Sequence, residues 1–145
     1  FGFVFRRTNL VRPFVFVADE FQRFITSDPE SGEASFLERC RAFRGMCVLA
    51  TQSIASLRYA LEAQDSSPSS EGRFALPMML NNVGTNLYFR STDIETQSRL
   101  MQMIPAPSRP DHPHVIQVRP ISSLKVGECY YLPCSGKVGR GQIVL

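Results

Sequence analysis

Two short apolar runs organise the first part of the chain: "PFVFVA" (13–18) and "GMCVLAT" (45–51). Each is rich in β-branched or aromatic residues, opens at Pro or Gly, and is too short for a helix. The spacing predicts strands, the first of them covered on both faces as in a parallel sheet. Helical spacing lies between and after them. In "FLERCRAF" (36–43), Phe36, Leu37, Cys40 and Phe43 share one side and Ser35 is placed to cap it. In "SIASLRYAL" (53–61), Ile54, Leu57, Tyr59 and Leu61 predict a helix opened by Ser53.

The pattern then breaks. Residues 62–73, "EAQDSSPSSEGR", carry almost no apolar group and read as a mobile loop or insertion. "FALPMMLNNVG" (74–84) predicts a short helix broken at Pro77. "TNLYFRS" (85–91) alternates like a third strand, and "DIETQSRLMQMI" (93–104) predicts a helix opened by Thr92 or Asp93, with Ile94, Gln97, Leu100, Met101 and Ile104 along one side. Four prolines in "PAPSRPDHPH" (105–114) make an extended connector. "VIQVRPI" (115–121), "ECYYLP" (128–133) and "GQIVL" (141–145) predict strands joined by glycine turns. The expected organisation is a lead-in over 1–12, an α/β layer of parallel crossovers over 13–104, and a connector with a small β-hairpin tail over 105–145.

Composition changes this picture little. The 145 residues are 43% hydrophobic and 20% charged, the balance of a globular protein. No apolar run approaches the roughly 20 residues that span a bilayer. The chain begins with Phe1 rather than Met, which suggests a piece of a longer protein. Residues 1–72 hold 8 Lys/Arg against 9 Asp/Glu, and residues 73–145 hold 8 against 4, so the net charge of +3 is −1 in the first half and +4 in the second. That bias permits contact with nucleic acid without arguing for it. The cysteines at 40, 47, 129 and 134 form no CxxC, and His112 and His114 are not spaced as zinc partners to them, so reduced thiols without metal are expected.

The candidate chemistry sits where the first strand stops. "VADE" puts Asp19 and Glu20 side by side at a strand's carboxyl end, where open parallel sheets bind ligands. A nucleoside triphosphatase needs one carboxylate there for magnesium and a neighbouring acid or amide for the attacking water. Many strands end in an acid simply because the chain has reached solvent. The second strand ends in Thr51 and Gln52, and a glutamine beside the acids can donate to a γ-phosphate; its plainer reading is a helix cap with Ser53. Arg39, Arg41 and Arg44 precede that strand as a solvated helix face, or as arginines able to reach a neighbouring copy's nucleotide.

Taken together, "VFVADEFQRF", "LERCRAFRGMCVLATQSIASLRYAL" and "LNNVGTNLYFRSTDIETQSRLMQMI" resemble the C-terminal half of the motor domain of type IV secretion coupling proteins. These are the TraG/TraD-type ATPases of conjugation, relatives of FtsK-like DNA pumps. The resemblance runs from about residue 13 to the closing "LKVGECYYLPCSGKVGRGQIVL". It implies a partial RecA-like parallel sheet with helices on its faces. It implies that Asp19 coordinates magnesium through water, Glu20 activates water, Gln52 senses phosphate, and Arg41 acts in trans, with Arg39 and Arg44 as rivals. Asn82 and Thr85 match a strand-opening motif of the family.

No stretch reads GxxxxGK[ST]; "CSGKVGRG" (134–141) has Gly-Lys, but no glycine five places before Gly136. The resemblance therefore implies ATP and Mg in the intact protein and none bound to this piece, which is expected to be inactive alone. It further implies a homo-hexamer on the cytoplasmic side of the bacterial inner membrane. That ring would move single-stranded DNA with its relaxase to a type IV secretion channel, and this segment would not touch the membrane. The alternatives are a non-catalytic docking module for relaxosome accessory proteins, or part of another FtsK-like DNA translocase. Phe89 beside Arg90, and Tyr130 with Tyr131, are better explained by core packing or sheet pairing than by base stacking.

Overall fold

The computed structural model describes residues 5–6, 8, 11–26, 28, 32–64, 71–104, 119–134 and 139–142. It is a mixed α/β fold, and the chain divides into two compact units, Phe1–Val83 and Gly84–Leu145.

In the first unit, β1 (Phe14–Ala18) and β2 (Gly45–Leu49) pair in parallel, in register from Phe14 opposite Gly45 to Ala18 opposite Leu49. The chain between them makes the crossover that a parallel pair requires, through α1 (Glu33–Cys40). Phe14 and Phe16 on β1 meet Phe36 of α1 at ring-centroid distances of 6.4 and 5.7 Å, the latter edge-on at 82°. Helices α2 (Ile54–Glu62) and α3 (Glu71–Asn82) complete this side, burying Ile54, Leu57, Leu61, Leu76 and Met79 in the same core. At Gly45 a Cβ would lie 2.9 Å from the Cys40 carbonyl and 2.7 Å from an edge carbon of the Phe14 ring. The close approach of α1 to β2 therefore needs glycine there.

Several expectations are corrected. The first strand is covered on one face only: Phe14 and Phe16 turn inward with Cys47 and Leu49 of β2, while Val15, Val17, Met46 and Val48 are at least half exposed. A continuous apolar run reads as two buried faces, yet helices α1, α2 and α3 all contribute to the one core. Helix α1 begins at Glu33 behind Gly32, so Ser35 lies inside it; Arg41–Phe43 form a 3₁₀ turn beyond its end. The buried Glu33 carboxylate explains the earlier start, since it accepts from the Thr26 backbone N–H and hydroxyl and anchors the first turn. Helix α3 runs through Pro77 without a break and already includes residues 71–73, which the loop reading covered. Leu76 and Met79, buried on either side of Pro77, hold that turn in place. The remaining loop residues, 65–70, lie outside the described residues.

The second unit is an antiparallel sheet of three strands, β3 (Asn86–Tyr88), β4 (Glu128–Leu132) and β5 (Gly139–Gln142), with β4 in the middle. Thus β3 is not a third strand of the parallel layer; it pairs with the tail, Tyr88 opposite Tyr130. Helix α4 (Ile94–Met103) is opened by Asp93, whose carboxylate accepts from the Thr96 N–H at 2.8 Å and hydroxyl at 2.6 Å. Its buried side is Thr96 and Leu100, whereas Ile94 and Met101 stay exposed, so the expected apolar side is rotated. The core gathers Tyr88, Leu100, Ile121, Leu124, Tyr130 and Leu132. Fully buried Tyr130 satisfies its hydroxyl on Arg119, accepting from the N–H at 2.9 Å and donating to the carbonyl at 3.1 Å. Ile121 opens a 3₁₀ turn behind Pro120 instead of ending a strand; residues 105–118 and 143–145 lie outside the described residues.

No helix among the described residues is long and apolar enough to cross a membrane. All four cysteines are free thiols. Cys40 and Cys47 face each other with sulfurs 3.9 Å apart, and burial, reinforced by Cys40, pushes the Cys47 thiol up to about 12.

Candidate functional site

Because β1 and β2 run in parallel, their carboxyl ends share one rim. The pairing continues past the strands: the Ala50 N–H donates to the Ala18 carbonyl at 2.9 Å, and the Phe21 N–H to the Ala50 carbonyl at 2.8 Å. This places the segment after β1 beside the segment after β2. Between them Glu20 adopts a left-handed backbone, φ 52° and ψ 44°, uncommon for a residue with a side chain. Its N–H donates to the exposed Asp19 carboxylate at 2.9 Å. The left-handed residue turns the chain into a 3₁₀ turn, Phe21–Arg23, whose Phe21 is buried as an anchor.

The turn directs the Glu20 carboxylate across to β2. The Gln52 side-chain amide donates to both Glu20 oxygens at 3.1 Å. The Gln22 side-chain amide donates to Glu20 Oε2 at 2.6 Å, and Arg23 Nε stands 3.7 Å from the same oxygen. The Thr51 hydroxyl closes the network, donating to Gln22 Oε1 at 2.9 Å. Ser53 caps α2, its Oγ accepting from the Ser56 N–H at 3.0 Å, so Gln52 is left to the cluster and not to the helix end. Glu20, Gln22, Arg23 and Gln52 line an open groove of about 600 Å³ together with Ala55, Ser56, Tyr59 and Ala60 of α2.

The structure therefore brings Glu20 and Gln52 into direct contact, with Asp19 adjacent through the backbone. It does not bring Arg41 to them. Arg41 is exposed in the 3₁₀ turn before β2, at the amino end of a five-residue strand whose length is roughly 16 Å. Its rivals are at that same end. Arg39 lies over the Phe5 ring at 4.1 Å, and Arg44, also left-handed at φ 54°, donates from Nη1 to the Val11 carbonyl at 3.2 Å. Asn82 ends α3 and Thr85 precedes β3, both exposed, in different units. Sequence reading gave no site role to Gln22, Thr51, Arg23 or Tyr59, and Tyr59, counted there among the apolar helix positions, is exposed. Only Gln22 had a signal, as a carboxamide two residues beyond the acids.

Among the described residues no three His, Cys, Asp or Glu side chains gather as a metal cage. One exposed carboxylate at the rim is nevertheless the donor set suited to magnesium, which keeps several waters and takes its other ligands from phosphate. Comparison with protein-family models, with curated proteins and with solved structures returned no match. The site is accordingly read from its own geometry and chemistry.

Proposed function

We propose that this chain is the C-terminal part of the motor domain of a conjugative coupling protein of the TraG/TraD type. In the intact protein it contributes half of a nucleotide site. Asp19 holds magnesium through water. Glu20 takes the proton from the attacking water, and Gln52 donates to the terminal phosphate. The glycine-rich phosphate cradle and its lysine come from elsewhere in that protein. Arg41, at the opposite end of β2, acts on the nucleotide of a neighbouring copy in a ring, which drives single-stranded DNA and its relaxase toward a secretion channel from the cytoplasmic face of the inner membrane.

The observation that carries this reading is the Gln52–Glu20 contact across two parallel strand ends, 3.1 Å to both carboxylate oxygens. A solvated strand end needs no partner from the neighbouring strand. A base and a phosphate sensor must share one rim. The decisive experiment is Glu20→Gln in the longer, P-loop-bearing protein. ATP turnover and DNA transfer fall to background while nucleotide binding persists. Full turnover in that variant overturns the catalytic reading.

The docking reading has one observation in its favour. Leu87 and Tyr131, paired across β3 and β4, form an exposed apolar row in the second unit. A pull-down with this chain against relaxosome proteins and against DNA separates the two readings, because only docking requires retention of the accessory proteins without turnover.

A further inference from the structure

We infer that Gln22 is the positioning residue of this site, coupling Glu20 to the segment that carries Gln52. The inference rests on the motor reading and goes beyond its assigned residues.

The argument starts from what an amide side chain can do. Gln52 has one NH₂ group and spends it on Glu20. If Gln52 turns toward a phosphate, Glu20 loses that donor. Gln22 remains, 2.6 Å from Oε2, and it is itself held by the Thr51 hydroxyl at 2.9 Å on its carbonyl side. Only a carboxamide accepts at one end and donates at the other in this geometry. Glutamate would face Glu20 with a second carboxylate, and leucine would offer neither bond. Thr51 immediately precedes Gln52, so a shift of the β2 terminus on phosphate binding reaches Glu20 through Thr51 and Gln22. A carboxylate offers about four acceptor positions, leaving room for the attacking water beside these donors. Gln22 is half-buried and anchored by the turn around Phe21, the rigidity a positioning residue requires.

The test measures steady-state ATP turnover in the longer protein, with side-chain amide spectra of the 145-residue chain as the structural check. Gln22→Leu and Gln22→Glu are expected to lower kcat about 10- to 100-fold, with KM for ATP within about twofold of wild type. Thr51→Val lowers kcat in the same way, and Thr51→Ser recovers most of that loss. Combining Gln22→Leu with Thr51→Val costs no more than Gln22→Leu alone, because both cut one chain of contacts. In the spectra, Glu20→Ala shifts the NH₂ signals of Gln22 and Gln52 and leaves the other glutamines in place. Unchanged kcat in both Gln22 variants, alongside an inactive Glu20→Gln, overturns the role of Gln22 while the motor reading stands. An active Glu20→Gln removes the reading beneath it. Gln22 and Gln52 signals indifferent to Glu20→Ala overturn the network itself. If Gln22→Leu fails to fold, the near-isosteric Gln22→Glu and the Thr51 pair decide the matter.

Discussion

Glu20 shows what one residue gives up for its position. A left-handed backbone costs a side-chain-bearing residue about 1–2 kcal/mol, and Glu20 adopts it at φ 52°. Glycine is free of that cost, although it loses more chain entropy on folding. Glu20→Gly is therefore expected to be more stable than Glu20→Ala by about 1 kcal/mol, the reverse of their order in a helix. Urea denaturation of the two variants measures it; alanine equal to or better than glycine contradicts the backbone description. The acid pair and Gln52 were legible in the sequence because strand ends announce themselves by a change from apolar to polar. The left-handed turn was not, since nothing in "ADEF" marks Glu20 as the residue that bends. Nor was the Thr51–Gln22 link, which depends on a register that only the paired strands fix.

At the scale of elements, most strands and helices were visible because their apolar positions repeat with the right period. What failed was partner choice. β3 alternates as a strand with one buried face does, and three residues of alternation do not name β4 as the partner. Start signals did better where a side chain caps directly. Ser53→Ala is expected to cost about 1 kcal/mol, since it removes the Oγ that accepts from the Ser56 N–H and pairs with the Ser56 hydroxyl at 2.8 Å. Gly45→Ala is expected to cost about 1–3 kcal/mol by pressing on the Cys40 carbonyl and the Phe14 ring, and thermal melts of both variants test these values. The β4–β5 ladder adds a pH dependence. The Lys125 backbone N–H and then the Arg140 guanidinium, 2.8 Å from Glu128 Oε1, hold the Glu128 carboxyl below its ordinary value of 4.5. A carboxyl whose pKa falls on folding stabilises the fold above its unfolded value and loses that contribution as pH drops through its folded value. Glu128→Gln is thus expected to melt below wild type at about pH 7, with the gap closing toward about pH 3. A gap that persists undiminished in acid contradicts the ionic origin.

At the scale of the whole molecule, the distribution of apolar surface matters more than its amount. Sequence reading took the first strand to be covered on both faces, because consecutive apolar residues are the mark of a doubly buried strand. The structure keeps the apolar run and leaves Val15, Val17, Met46 and Val48 bare, Val17 at 68% exposure. These four lie in two cross-strand pairs, Val15 with Met46 and Val17 with Val48, so they form a contiguous patch and not scattered residues. A contiguous apolar face is a binding surface for any apolar solute, whereas isolated exposed side chains are ordinary. The 145-residue chain is therefore expected to enhance the fluorescence of an anilinonaphthalene dye in its native state. Val15→Thr, Val17→Thr and Val48→Thr together should remove a large part of that signal. Threonine keeps the β-branched shape that suits a strand, so the thermal melt should shift by no more than a few degrees. Dye binding that survives both this triple substitution and Leu87→Thr with Tyr131→Thr, unchanged, would mean this face is already covered. The doubly buried strand read from the sequence would then have been right, and the one-sided core described above would be wrong.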